Sequence, residues 1–279
     1  MEQDLEYYLK SAIAEDIGSG DFSSLACFPE DHKSTAKIIA KENGIIAGIE
    51  VAKSLFNIID PQLDIQYLKD DGDIIYKGEK LLKLKGKTLS ILKTERLLLN
   101  IMQRMSGIAT TTQKYVSAIK DLPTRILDTR KTTPNFRVFE KMAVVIGGGL
   151  NHRFGLYDMI MIKDNHIDFC GGIDATLTKT SKYINENNLD LKVIIEVRNI
   201  NDIELVLENG TANRILLDNF SPELLKEGIE LINGQIETEA SGNINIYNLR
   251  KYAETGVDYI STGAITYSAK ILDLSLIAS

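Results

Sequence analysis

Apolar positions follow two different rhythms along the chain. Residues 2–15 read as a helix, and Asp21-Phe22-Ser23-Ser24 punctuates the chain after it. Residues 34–41 (STAKIIAK) and 43–49 (NGIIAGI) read as strands, with Gly44 and Gly48 at bends, and residues 50–59 as a helix. Between Leu63 and Leu92 the pairs Asp71-Gly72, Lys77-Gly78 and Lys85-Gly86 set turns close together, which predicts short strands in a small sheet. From about Ser90 to Lys120, apolar residues at Leu97, Leu98, Ile101, Met102 and Met105 keep helical spacing, and Gly107 is expected to interrupt or kink the helix.

Beyond Pro123 short apolar runs recur: 125–127 (RIL), 159–162 (MIMI), 193–197 (VIIEV), 214–217 (RILL), 235–239 (QIETE) and 259–262 (YIST). Helical stretches at 200–209, 221–232 and 245–255 separate several of them. Short buried runs alternating with helices predict βα units around a parallel sheet, at the spacing of an α/β barrel.

The residues at the ends of these runs carry the chemistry. Asp128-Thr129-Arg130-Lys131, Lys163-Asp164-Asn165-His166, Glu196, Asp218-Asn219, Glu239-Ala240-Ser241-Gly242 and Thr262-Gly263 each fall at or just after a predicted strand. In a parallel barrel all strand C-termini open on one rim, where active sites form. Six separate segments are therefore expected to converge on one mouth. The plainer account is that βα loops are polar because they are exposed.

The chain has 279 residues, 44% hydrophobic and 25% charged, enough for one large α/β domain or two domains. A net charge of −7 argues against a nucleic-acid partner. Cys27 and Cys170 stand alone without ligand spacing, which argues against a zinc site and fits a reducing cytoplasm. The N-terminus is acidic with no apolar signal core, and no run approaches the about 20 residues of a membrane helix. A soluble, cytoplasmic protein without membrane or nucleic-acid partners is expected.

The predicted rim mixes cations (Arg130, Lys131, Arg137, Lys141, His152, Arg153, Lys163) with acids (Glu196, Asp218, Glu239). Cations gathered in a barrel mouth suit an anionic substrate, with arginine forks for carboxylate or phosphate. Carboxylates among them suit Mg²⁺, which accompanies phosphorylated substrates. The turns at Ser241-Gly242 and Gly263-Ala264 follow late strands, where barrels bind phosphate through backbone N–H groups. Gly147-Gly148-Gly149 is a second candidate phosphate loop, though a helix end presenting Asn151-His152-Arg153 accounts for it better. No GxSxG elbow supports serine acyl transfer, so positioned charge rather than covalent catalysis is expected.

Several segments resemble quinolinate phosphoribosyltransferases: TERLLLNIMQRMSGIAT (94–110), DTRKTTP (128–134), GGGLNHRFGL (147–156), IKDNH (162–166), LLDNF (216–220), EASG (239–242) and YAETGVDYISTGA (252–264), with GDFSS (20–24) near the start. They span nearly the whole chain in order. The resemblance implies an N-terminal α/β sandwich domain (1–109) followed by an incomplete parallel α/β (TIM-like) barrel (110–279). It implies a pentosyltransferase of NAD biosynthesis that converts quinolinate and phosphoribosyl pyrophosphate, with Mg²⁺, to nicotinate mononucleotide, pyrophosphate and carbon dioxide. It also implies a homodimer or larger homo-oligomer in which one subunit's N-terminal domain closes over its neighbour's barrel.

Carried over by position, Arg130, His152, Arg153 and Lys163 form a basic pocket, with Arg130 and Arg153 on the substrate carboxylates. Lys131 and Lys163 lie where quinolinate and the ribosyl donor meet, and Arg96 arrives from the partner subunit. By spacing alone Arg96 is a solvated helix arginine. Glu196 and Asp218 are the acidic pair for ribose hydroxyls and Mg²⁺, and Ser241, Gly242 and Gly263 belong to phosphate loops. Tyr267 stands where the family usually has histidine, Asn243 replaces a glycine and Asn135-Phe136 replaces Gly-Leu. Two other readings compete: a paralogous family associated with molybdenum transport, which typically lacks an intact KDNH, and a non-catalytic barrel that binds a phosphorylated metabolite. A nicotinate phosphoribosyltransferase needs only a monocarboxylate site, against which the two arginines argue.

Overall fold

The computed structural model describes residues 2–279, with side chains from residue 5 onward. The chain divides into two compact units: one of residues up to Gln113 with Thr132–Gly148 and Thr266–Ser279, the other of Lys114–Lys131 and Gly149–Ile265. Its elements run α1 (Glu2–Ile17), α2 (Phe22–Cys27), β1 (Lys33–Ala40), β2 (Gly44–Ile45), α3 (Ile49–Ile59), β3 (Asp64–Tyr67), β4 (Ile74–Ile75), β5 (Lys80–Lys87) and α4 (Thr88–Ala118). Then come β6 (Arg125–Leu127), α5 (Arg137–Ile146), β7 (Ile160–Ile162), α6 (Asp164–Cys170), α7 (Ile173–Glu186), β8 (Val193–Val197), α8 (Ile200–Asn209) and β9 (Arg214–Asp218). The chain closes with α9 (Pro222–Ile232), β10 (Glu237–Ser241), α10 (Leu249–Ala253), β11 (Tyr259–Ser261), α11 (Ala264–Tyr267) and β12 (Leu274–Ala278).

The first unit is built on an antiparallel sheet of order β12-β1-β5-β3, with a two-stranded β2-β4 pair beside it in the chain. Strand β1 buries Ala36, Ile38 and Ala40 and leaves the alternate positions less covered, as a strand with one core face must. The expected strand over 43–49 is shorter than its apolar run: only Gly44–Ile45 pair, and the backbone turns at Gly48 (φ +106°) into α3. Asp71 closes that turn by accepting the Gly48 and Ile49 N–H groups at 2.6 and 2.8 Å. Helix α4 runs unbroken through Gly107, contrary to the expected interruption. Glycine is needed there for another reason: a Cβ would overlap the Lys270 carbonyl of the C-terminal segment.

In the second unit six parallel strands take the order β6-β11-β10-β9-β8-β7. Its first strand pairs with its last instead of its second, which is the order of a sheet rolled towards closure. The opening falls between β6 and β7, where Leu150 makes a lone parallel bridge to Leu127. Six strands in place of eight, with one seam, make an incomplete α/β barrel. Strands β8 and β9 are nearly uninterrupted apolar runs because both faces are covered: Val193, Ile194, Ile195, Ile215 and Leu217 are at most 1% exposed. Strand β10 starts two residues later than its sequence pattern predicts. Asn233 and Gly234, both at positive φ, first turn the chain out of α9.

Candidate active site

The strand ends define the site. Thr129, Arg130 and Lys131 follow β6, Lys163 follows β7, Glu196 lies near the end of β8, and Asp218, Ser241 and Ser261 end β9, β10 and β11. Together with His152, Arg153 and Glu239 they line a cavity of about 270 Å³. The convergence expected from strand-end polarity is therefore real, and exposure of βα loops alone does not account for it. A larger cavity of about 600 Å³ lies among β7, α6 and α7, but Ile160, Ile162, Phe169 and Tyr183 dominate its walls and no carboxylate reaches it.

Local hydrogen bonds hold the charged groups in place. Asp128, fully buried at the end of β6, accepts the His152 N–H at 2.8 Å, which ties the segment after the three glycines to the strand that carries Arg130. His152 Nδ1 accepts the Arg153 N–H at 2.7 Å, so the ring proton of the neutral form sits on Nε2, 3.4 Å from Glu239 Oε2. Lys163 Nζ donates to Glu196 Oε2 at 2.7 Å. His166 faces the larger cavity and not the one at the strand ends; its Nδ1 accepts the Lys163 backbone N–H at 2.9 Å and fixes the turn from β7 into α6.

Arg153 is buried beside Arg130. Burial, followed by the neighbouring Arg130 charge, lowers its pKa, and Asp158 offsets only part of this. Beneath the cavity Arg214 donates to Glu239 Oε2 at 2.9 Å and to Glu237 Oε2 at 2.8 Å, with its guanidinium 3.9 Å from the Tyr259 ring centroid. Burial pushes the Glu239 carboxyl up. Hydrogen bonding and charge from His152, with Ser261 and Arg214, outweigh that and hold it below the ordinary glutamate range.

The remaining expected residues lie outside the cavity lining. Gly242 sits in the next turn at φ +94°, and a Cβ there would overlap the Asn219 carboxamide. Asn219 in turn donates to Asp218 Oδ2 at 2.5 Å and accepts from Asn243 at 3.2 Å. Asn219 and Asn243 are both left-handed (φ +57° and +51°), which asparagine tolerates. Gly263 is buried between β11 and α11. Tyr267 ends α11 and Arg96 lies on α4, both exposed and both in the first unit. Sequence patterning does not single out Arg214 or Ser261. Ser261 obeys the strand-end rule one residue before the expected Thr262-Gly263. Arg214 begins its strand and carries no such signal.

Among the described residues no group of three or more His, Cys, Asp and Glu side chains gathers around a metal position. Glu196 pairs in register with Leu216, two residues before Asp218, so the two carboxylates share a face at the rim. Two carboxylates are what Mg²⁺ takes when substrate phosphates and water complete its shell.

A parallel α/β barrel with a buried Arg153, exposed Arg130, Lys131 and Lys163, and a carboxylate pair at its strand C-termini defines an enzyme-type site suited to an anionic substrate. The chain belongs to the quinolinate phosphoribosyltransferase family: the family's N-terminal domain matches residues 21–106 and its C-terminal domain residues 108–277. It is 45% identical to the mitochondrial quinolinate phosphoribosyltransferase [decarboxylating] 2b of Nicotiana tabacum, over 98% of this chain and 82% of that one. It is 41% identical to the probable nicotinate-nucleotide pyrophosphorylase [carboxylating] of Bacillus subtilis (strain 168), over 98% and 92%. Among solved structures, NadC from Streptococcus pyogenes superposes with a TM-score of 0.93 at 37% identity, over 100% of this chain and 98% of that one.

Proposed function

We propose that this chain transfers the phosphoribosyl group of phosphoribosyl pyrophosphate to quinolinate with loss of carbon dioxide, giving nicotinate mononucleotide and pyrophosphate for NAD biosynthesis. The observation that carries the reading is the pairing of Arg130 with buried Arg153 in one cavity, where each charge opposes the other. A dicarboxylate relieves that repulsion and satisfies two guanidinium forks at once. A single carboxylate leaves one fork unmatched.

The reading assigns each residue a role. Arg130 and Arg153, with His152, orient the pyridine carboxylates. Lys131 and Lys163 stand where ring and donor meet. Glu196 and Asp218 face the ribose hydroxyls, and the Ser241-Gly242 and Gly263 turns take phosphate. The bond from the ribosyl anomeric carbon to pyrophosphate breaks, pyrophosphate leaves with the electron pair, and the pyridine nitrogen bonds to that carbon. Carboxylates near the oxocarbenium-like centre and lysines near the leaving group supply fixed charge where charge develops. The 2-carboxylate then departs as carbon dioxide, its bonding electrons pass into the cationic ring, and solvent supplies the proton to that carbon. Glu196 and Asp218 are the residues that would hold Mg²⁺, which when bound supplies charge neutralisation at the pyrophosphate.

The same reading includes a homodimer or larger homo-oligomer, with Arg96 of one subunit reaching its partner's site; the exposure of Arg96 on α4 is compatible with it. It also includes a cytoplasmic location, supported by two free cysteines. Among the described residues no helix is long and apolar enough to cross a membrane. Pyrophosphate release with Mg²⁺, phosphoribosyl pyrophosphate and quinolinate, beside the same assay with nicotinate, tests the reaction. Release that depends on quinolinate and matches carbon dioxide is expected. Ligand-induced thermal stabilisation without release would instead indicate a binding barrel.

A further inference from the structure

The first unit holds an ion pair outside the cavity, its carboxylate buried and its guanidinium partly so. Glu140 on α5 is fully buried, and Arg104 on α4 reaches it with Nε at 3.0 Å and Nη2 at 2.8 Å, both to Oε1. Thr133 adds its hydroxyl to Oε1 at 2.9 Å and its backbone N–H to Oε2 at 3.2 Å. The rest of the guanidinium goes to backbone: Nη1 donates to the Ala269 carbonyl and Nη2 to the Thr266 carbonyl, each at 2.9 Å.

One ion pair thus fastens two loops whose neighbours in the chain are site residues. Thr133 lies two residues beyond Lys131 and three beyond Arg130. Thr266 lies three beyond Gly263, and Tyr267 falls between the two carbonyls that Arg104 holds. Burying a carboxylate and a guanidinium costs desolvation, and apolar residues of similar size often give equal or greater stability. Fixed direction is what an apolar pair cannot supply: a planar fork and a carboxylate hold their partners at set angles.

We propose that the Arg104–Glu140 pair is a positioning device for the Arg130-Lys131 loop, acting through Thr133 and bracing the loop at Thr266 at the same time. This rests on the phosphoribosyl-transfer reading. Neither residue touches substrate; the pair sets where the Arg130 and Lys131 side chains begin. Loss of it leaves the fold intact and the loop loose, and small misplacement of reacting groups is costly in rate.

The test compares wild type with Arg104→Met/Glu140→Leu and with the milder Thr133→Val. Thermal midpoint, quinolinate KM and kcat are measured separately, and hydrogen–deuterium exchange is followed at residues 129–134. The double variant is expected to keep a midpoint within a few degrees of wild type, lose about 10²-fold in kcat/KM with a raised KM, and exchange faster at 129–134. Thr133→Val is expected to raise KM and exchange there without moving the midpoint. Wild-type kinetics in a stable double variant, or activity that only tracks thermal stability, would overturn the proposal. If the double variant does not fold, unchanged KM and exchange in Thr133→Val overturn it. Absence of quinolinate-dependent release by wild type sinks the reaction, and exchange alone then decides the positioning.

Discussion

Lys163 Nζ stands 2.7 Å from Glu196 Oε2, joining the ends of adjacent strands β7 and β8 across the cavity. The lysine side chain is 48% exposed and the glutamate 13%, so the pair faces water on one side and contributes at most about 1 kcal/mol to stability. Its worth lies in charge placed for substrate. Glu196→Gln keeps the shape and removes the anion. Its thermal midpoint should stay within a few degrees of wild type, while kcat falls on the order of 10²-fold, the scale of losing one preorganised electrostatic contact. A parallel fall in midpoint and activity would make the pair structural.

Arg153 is poised by crowding. Burial around it, and after that the Arg130 charge beside it, act against its charge, and an incoming dicarboxylate offsets that penalty. Arg153→Lys keeps the charge and loses the planar fork. Quinolinate kcat/KM should fall by the equivalent of about 2–4 kcal/mol, comparable to loss of an oxyanion donor, with the loss appearing mainly as a raised KM. An Arg153→Lys enzyme within a few fold of wild type would remove Arg153 from the carboxylate site.

Gly242 couples two strand ends. Its positive φ and the Asn219 carboxamide packed against it leave no room for a side chain. Gly242→Ala should push Asn219 away and with it the hydrogen bond to Asp218. The expected result is weaker binding of phosphoribosyl pyrophosphate, read by titration calorimetry, with quinolinate affinity nearly unchanged. Equal weakening of both ligands would show general disruption of the rim.

Strand-end chemistry was legible in the sequence because it is local. A parallel strand buried on both faces writes itself as a short apolar run, as Val193–Val197 does, and the polar residues that follow must lie on the rim. Long-range pairing is not local. Strand β12 returns to pair Ala278 with Ala36, and nothing in either segment names the other. Gly107 looked like a helix breaker because its reason, the Lys270 carbonyl, is far along the chain. Arg214 opens the apolar run 214–217 with nothing local to mark it, and only the rolled sheet turns it inward between Glu237 and Glu239.

Glu239 should govern acid stability. It is fully buried, held by Arg214 at 2.9 Å and facing His152 Nε2 at 3.4 Å, and its carboxyl titrates below the ordinary glutamate range. The unfolded chain binds the proton first, at about pH 4.3, so the folded state gains from this group above that pH. The gain is lost as pH falls through the lower folded-state value. Glu239→Gln removes the buried anion and leaves Arg214 with Glu237 alone, which at neutral pH should cost about 3 kcal/mol, the low end for breaking a buried pair. The difference in midpoint between wild type and Glu239→Gln should therefore be full at pH 7 and shrink as pH drops below about 4. A difference that stays constant down to the acid transition would mean that Glu239 acts by packing and not by charge.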